Sequence, residues 1–233
     1  MQSLVNPLYK KISTLCDQCT PCVLHPHSFF VAWHGVITLV FRSFPSPLSD
    51  LKHSLNKLSV LPPEGQGSRW PKMTLAALAS NQVLTSLELT SLLDLIKEHS
   101  SSLQSATPLY VKRLSIVAYT QQSLETILER LPIPLRGEES LPIKKPDLQK
   151  EVSELLEHQE STLSAEVEQR ILAPGRDLSH YRQESPGLSL IAEMPDAYQE
   201  LITPLQSSIE TLLPGRYQWF ESQSRHLTVR ALS

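Results

Sequence analysis

The sequence predicts an α+β fold of two similar lobes packed around a pseudo-twofold axis, and a repeat is the main reason. Two stretches overlay: Gly35 to Leu78 on Gly187 to Leu232. Each reads as a β-rich run, a proline, apolar residues every three or four positions, and a second β-rich run. The second observation is spacing. Proline (18) outnumbers glycine (7), so turns and element boundaries are set mainly by proline. At 233 residues the chain can bury a substantial core, as one large domain or two small lobes.

Taken in order, residues 1–30 read as a flexible extension carrying all three cysteines, Cys16, Cys19 and Cys22, with His25 and His27 close behind. Thiolates and imidazoles at this spacing could bind zinc, though a structural site usually draws ligand pairs from two separated segments. An odd cysteine count does not suggest a secreted disulfide framework. Phe29 to Phe41 reads as the first core strand. Pro45, Leu48, Leu51, Leu55 and Leu58 mark a helix, and Lys72 to Leu78 a second strand. Leu84 to Ile96 has amphipathic helical spacing. Tyr110 to Tyr119 reads as a strand and Ser123 to Leu131 as a short serine-capped helix, which closes a first lobe at 31–131.

Pro132 to Pro146, with four prolines and mixed charges, reads as a linker. A polar helical stretch follows from Asp147 to Leu172. Its row Glu151, Glu154, Glu157 and Glu160 reads as a solvated face. The connection thus spans 132–186 and includes His180-Tyr181-Arg182. The second lobe occupies 187–233: strand, Pro195, a helix through Leu201, Ile202, Leu205 and Ile209, then Trp219 and a strand from His226. It ends soon after that strand, so it must borrow upstream strands or lack part of its sheet, as a truncated product would. A terminal strand paired on one side only would fray.

The functional content concentrates in the two closing strands of the repeat. His226 and Thr228 lie two apart, so they share one face of a strand. An imidazole and a hydroxyl side by side suit a phosphate ester: the hydroxyl donates to a phosphoryl oxygen while the imidazole moves a proton. In the first unit Thr74 overlays Thr228 and Lys72 overlays His226. The stretch Tyr217-Gln-Trp219-Phe-Glu-Ser-Gln-Ser-Arg225-His226-Leu-Thr228 resembles the lobe signature of the 2H phosphoesterases. That superfamily includes the RNA ligase/cyclic nucleotide phosphodiesterase-like proteins. Gly67-Ser-Arg-Trp-Pro-Lys72-Met-Thr74 and His180-Tyr181-Arg182 resemble an uncharacterised cyanobacterial and plant branch. The resemblance covers most of residues 35–233, with the first motif degenerate.

The resemblance implies a bilobal fold with antiparallel sheets facing a central cleft and helices outside. It also implies metal-independent, cofactor-free chemistry on 2′,3′-cyclic phosphates or 2′,5′-linked RNA or nucleotide ends. His226 would move a proton, and Thr228 and Thr74 would bind phosphate. Lys72 stands where the second histidine belongs. A lysine of ordinary pKa binds anions and can act as an acid but is a poor base, so slow turnover is expected. The alternative is an inactive module of the same fold that binds RNA, a nucleotide or a protein. Arg182, His180, Arg225 and Trp219 are the candidate substrate contacts.

A net charge of −3 excludes a global electrostatic drive toward nucleic acid, so an RNA or small phosphorylated nucleotide must be held by a local basic patch. No run has the length and apolarity of a membrane span. The expected protein is a cytoplasmic monomer that does not bind membranes. Plastid delivery is the alternative, since residues 1–30 hold a single acid, Asp17, beside Lys10 and Lys11.

Overall fold

The computed structural model describes residues 2–65, 68–136, 146–160 and 163–233. In chain order these form α1 (Gln2–Cys16), β1 (Cys22–Leu24), β2 (Pro26–Val31), β3 (Ile37–Phe41), α2 (Ser46–Asn56), β4 (Lys72–Leu78), α3 (Ser86–Ser102), β5 (Leu109–Val111), β6 (Arg113–Tyr119) and β7 (Ile127–Pro134). Then come α4 (Lys150–Glu160), α5 (Ala165–Leu172), α6 (Leu178–Arg182), β8 (Gly187–Glu193), α7 (Gln199–Leu212), β9 (Tyr217–Trp219) and β10 (His226–Ala231). The class is α+β with antiparallel sheets. Among the described residues no helix is long and apolar enough to cross a membrane.

One sheet dominates, ordered β2-β3-β4-β10-β8-β6-β7, with β9 added beside β4. Its centre is symmetric. The units β3-α2-β4 and β8-α7-β10 place their closing strands together, β4 against β10, and their opening strands outside them. Helices α2, α3 and α7 cover one face. There Leu48, Leu55, Leu92, Ile202, Leu205 and Ile209 pack on Leu39, Met73, Leu190 and Leu227, all essentially without solvent exposure. The opposite face carries the polar residues of the central strands and is covered only toward its flanks.

Each closing strand has a β-bulge at the same place. In β4 the register moves from Thr38↔Thr74 to Ile37↔Ala76, leaving Leu75 unpaired; in β10 it moves from Thr228↔Ile191 to Arg230↔Leu190, leaving Val229 unpaired. A bulge bends a strand and re-aims its neighbours, and here one follows each threonine of the repeat. Both freed carbonyls find donors. The Phe220 N–H donates to the Leu75 carbonyl at 3.0 Å, and the Lys52 ammonium donates to the Val229 carbonyl at 2.7 Å.

Lys52 is buried on α2, and it also donates to Glu64 at 2.5 Å and to the Ser68 carbonyl at 2.8 Å. Replacing it with methionine would strand three acceptors in a desolvated corner. Lys52→Met is therefore expected to lower unfolding free energy by about 2–4 kcal/mol, measurable by urea denaturation.

Several expectations need correction. Residues 2–30 are folded: α1 packs on the core, and Cys16, Cys19 and Cys22 are buried among apolar side chains. Burial, the largest cause in each case, pushes these thiols up to about 12, 11 and 12. Among the described residues, no group of three or more His, Cys, Asp or Glu side chains is placed to hold a metal ion. Phe29 to Phe41 is a hairpin of two strands, broken at Trp33–Gly35 where His34 and Gly35 take positive φ.

Ser123 to Leu131 is a turn leading into β7 rather than a helix. Strand β6 pairs β7 on one side and β8 on the other, so β6 and β7 extend the sheet on the side of the second repeat unit, not the first. This also supplies the upstream strands that the second unit lacked. Strand β10 is paired on both sides, and the Ser233 hydroxyl accepts from the Leu188 N–H at 2.9 Å. Of the expected linker, Pro132 and Pro134 belong to β7, and residues 137–145 lie outside the described residues, as does Gly67. The polar helix 147–172 divides into α4 and α5; Glu151, Glu154 and Glu157 are exposed, as expected of that row, while Val152 and Leu156 pack on Phe30 and Val40.

Candidate active site

The seam between β4 and β10 sets the geometry. Leu227 pairs with Met73, both buried toward the helices. Antiparallel continuation on either side of that pair sets His226 across from Thr74 and Thr228 across from Lys72. Directly opposed residues on one face have Cβ atoms about 4.5–5.5 Å apart. The four side chains therefore form one patch, related by a local twofold through the Met73–Leu227 pair. All four are partly exposed, whereas the intervening Met73 and Leu227 are not.

The patch is short of partners. Among the described residues, the Thr74 and Thr228 hydroxyls, the His226 Nε2 and the Lys72 ammonium have no protein hydrogen bond, and Lys72 has no carboxylate partner. The Lys72 ammonium instead sits over the Trp70 ring, 4.2 Å from its centroid. Trp70 itself stands edge-on to Phe30 in the small cluster that α4 covers. A cation on an aromatic face is held in place without being neutralised.

His226 is oriented from behind. Its Nδ1 lies 2.7 Å from the Ser224 carbonyl, an acceptor only, so Nδ1 carries the proton and Nε2 keeps its lone pair for the patch. Burial holds its pKa below the ordinary imidazole range; the Ser224 contact opposes this, and the Arg130 charge reinforces it. Glu193 is the β8 neighbour of His226, and a free carboxylate there would raise that pKa. Its oxygens are instead engaged by Ser115 at 2.9 Å, Arg113 at 2.9 Å and Arg130 at 3.1 Å. The imidazole is thus neutral at pH 7. For Lys72, burial and then repulsion from Arg176 bring the ammonium down to about 8.

The expected substrate contacts fare differently. His180 lies on the segment beside the patch, partly buried, its ring edge-on to Tyr181. Burial and the Arg176 charge lower its pKa. Arg182 is turned away into a two-pronged ion pair with Glu125, at 2.8 and 3.1 Å. Arg225 precedes His226, so strand alternation sends it to the helix side, where it is buried against the Phe220 carbonyl and Gln199. Trp219 pairs with Ala76 and packs on the main core, again behind the sheet. Arg225 and Trp219 are structural residues. Their closeness in sequence to His226 does not bring them to its face.

Two residues of the site escaped sequence reasoning. Trp70 lies two positions before Lys72 but outside the strand, so alternation says nothing about its direction. Arg176 sits in Pro174-Gly-Arg176-Asp177, which reads as an ordinary turn. Its charge reaches Lys72, His180 and Tyr181. Compared with known protein families, curated proteins and solved structures, the chain matches none of them.

Proposed function

We propose that the chain is a metal-independent phosphodiesterase of the 2H type, bilobal about the β4/β10 seam, acting on 2′,3′-cyclic phosphates or 2′,5′-linked nucleotide or RNA ends. One observation carries this reading. The Lys72/Thr74 and His226/Thr228 pairs lie on one face across a single strand seam, with their reactive atoms free of protein partners.

The chemistry follows from the side chains. The Thr74 and Thr228 hydroxyls donate to the two non-bridging oxygens, and the Lys72 charge offsets the phosphodiester's negative charge. His226 Nε2 takes a proton from water as the water oxygen bonds to phosphorus. The bond from phosphorus to one ribose oxygen breaks, and that oxygen takes a proton from the Lys72 ammonium. The net change is addition of one water, giving a phosphomonoester. Solvent then returns a proton to Lys72 and removes one from His226. A lysine brought down to about 8 gives up its proton near neutrality more readily than an ordinary lysine does.

The test is hydrolysis of a 2′,3′-cyclic nucleotide in EDTA across pH 5–10. The base must be deprotonated, so kcat falls on the acid side through a His226 pKa below the ordinary imidazole value. The acid must be protonated, so kcat falls on the alkaline side near pH 8. A rate that keeps rising beyond pH 9 removes Lys72 from the acid role. No turnover from folded protein, with nucleotide binding retained, leaves a binding module in place of an enzyme.

A further inference from the structure

A segment over residues 173–183 is fastened to the sheet on both sides of the seam. On the β4 side, the Ala173 carbonyl lies 2.9 Å from His34 Nδ1, and Asp177 Oδ2 accepts from the Asn81 N–H at 2.8 Å. On the β10 side, the Tyr181 carbonyl accepts from the Ser123 N–H at 3.0 Å, and Arg182 pairs with Glu125. Tyr181 also stands edge-on to Phe220, 5.1 Å between centroids.

The fastening points share an uncommon backbone conformation. Among the described residues, three non-glycine residues have positive φ: His34 (62°), Asn81 (62°) and Leu124 (56°). His34 and Asn81 bind the segment directly, and Leu124 follows the Ser123 amide that does so. Histidine and asparagine enter the left-handed region more readily than most residues, whereas at Leu124 it persists only where its surroundings impose it. The segment is fitted closely as well. A Cβ on Gly175 would come within 2.8 Å of the His34 ring, so a larger residue there would push that ring aside.

The next residue is Arg176. Its side chain is exposed, has no carboxylate partner among the described residues, and lies within electrostatic reach of Lys72. Two cations within electrostatic reach of each other can hold more than one negative charge. A phosphodiester brings only one.

We infer that Arg176, held by this strap, forms a second anion subsite beside the reacting position, which takes a further phosphate of the same ligand. The substrate class is then a nucleotide or RNA end carrying two neighbouring phosphates, and a lone cyclic mononucleotide is a poor substitute. This rests on the phosphodiesterase reading for the reacting phosphate, but the subsite can be tested by binding alone.

Calorimetry would compare adenosine 3′-monophosphate, adenosine 3′,5′-bisphosphate and a 3′-phosphorylated diadenosine without a 5′-phosphate, on wild type and Arg176→Gln. The wild type is expected to favour one of the two-phosphate ligands over the monophosphate by about 10-fold or more, as a charge-assisted guanidinium contact allows. Which ligand gains shows whether the second phosphate is a mononucleotide's own or the next one along an RNA. Arg176→Gln should erase the preference, weakening the two-phosphate ligand several-fold more than the monophosphate; Arg176→Lys should restore part of it. Equal affinities in the wild type, no binding of any of the three, or a preference that survives Arg176→Gln overturns the subsite. If the preference holds but no cyclic nucleotide is hydrolysed, the subsite stands and the phosphodiesterase reading falls. Hydrolysis of cyclic mononucleotides without the preference gives the reverse.

Discussion

Alanine at His226 is expected to lower metal-independent hydrolysis of a 2′,3′-cyclic nucleotide by about 10²–10⁴-fold, the range for loss of a positioned base. The Ser224 carbonyl holds the tautomer in which Nε2 is the open lone pair, and no neighbouring carboxylate is free to replace it. The loss should fall on kcat, because a neutral imidazole contributes little to holding a ground-state anion. His226 lies between strands paired on both of its sides, so an unchanged melting curve would accompany the loss. Undiminished turnover in the variant would remove His226 from the mechanism.

Methionine at Lys72 is expected to make the protein more stable and less active. Its pKa of about 8 in the fold, against 10.5 outside it, means that burial penalises the charged form. The sign follows. Below about pH 8 the folded protein carries the full penalty; as pH rises from about 8 toward 10.5 the unfolded chain holds the extra proton, and stability recovers. Methionine removes the penalty at every pH while keeping the length of the stem over Trp70. At pH 7 it should add about 2–3 kcal/mol and raise the midpoint by roughly 5 °C, while kcat falls about 10²-fold or more. Thermal melts at pH 7 and pH 10 separate the parts, since the advantage of Lys72→Met should shrink at the higher pH. If it loses stability at pH 7, Lys72 is holding the fold together and not stored for the reaction.

The repeat made much of this legible in advance. Period-2 alternation placed His226 with Thr228 and Lys72 with Thr74, because that rule is local and needs only a strand. The overlay of the two units anticipated that β4 and β10 are equivalent strands, and they are neighbours. What stayed hidden was non-local. Ser123 to Leu131 has apolar spacing that a short helix or an edge strand can carry equally, and pairing with β6 decided for the strand. The cysteines looked loose because polar residues surround them in sequence, whereas in the fold they are surrounded by α1, α2 and β5. Arg225 and Trp219 were misplaced by proximity: one residue along a strand reverses the face. Arg176 depends on His34 and Asn81, each far away along the chain, and no local pattern encodes such a fastening.

The position of β10 between β4 and β8 also bears on how the protein folds. It pairs with β4 and β8, which are themselves distant in sequence, so the sheet's centre is built from contacts of high sequence separation, the slowest kind to form. Until β10 inserts, β4 and β8 each present an open edge, and a chain paused at that stage can pair with another copy of itself. Strand insertion closes both edges and brings His226 and Thr228 to Lys72 and Thr74 in one event. Partly folded chains are therefore aggregation-prone and lack the assembled patch, so on the phosphodiesterase reading recovery of activity on refolding would report closure of the sheet.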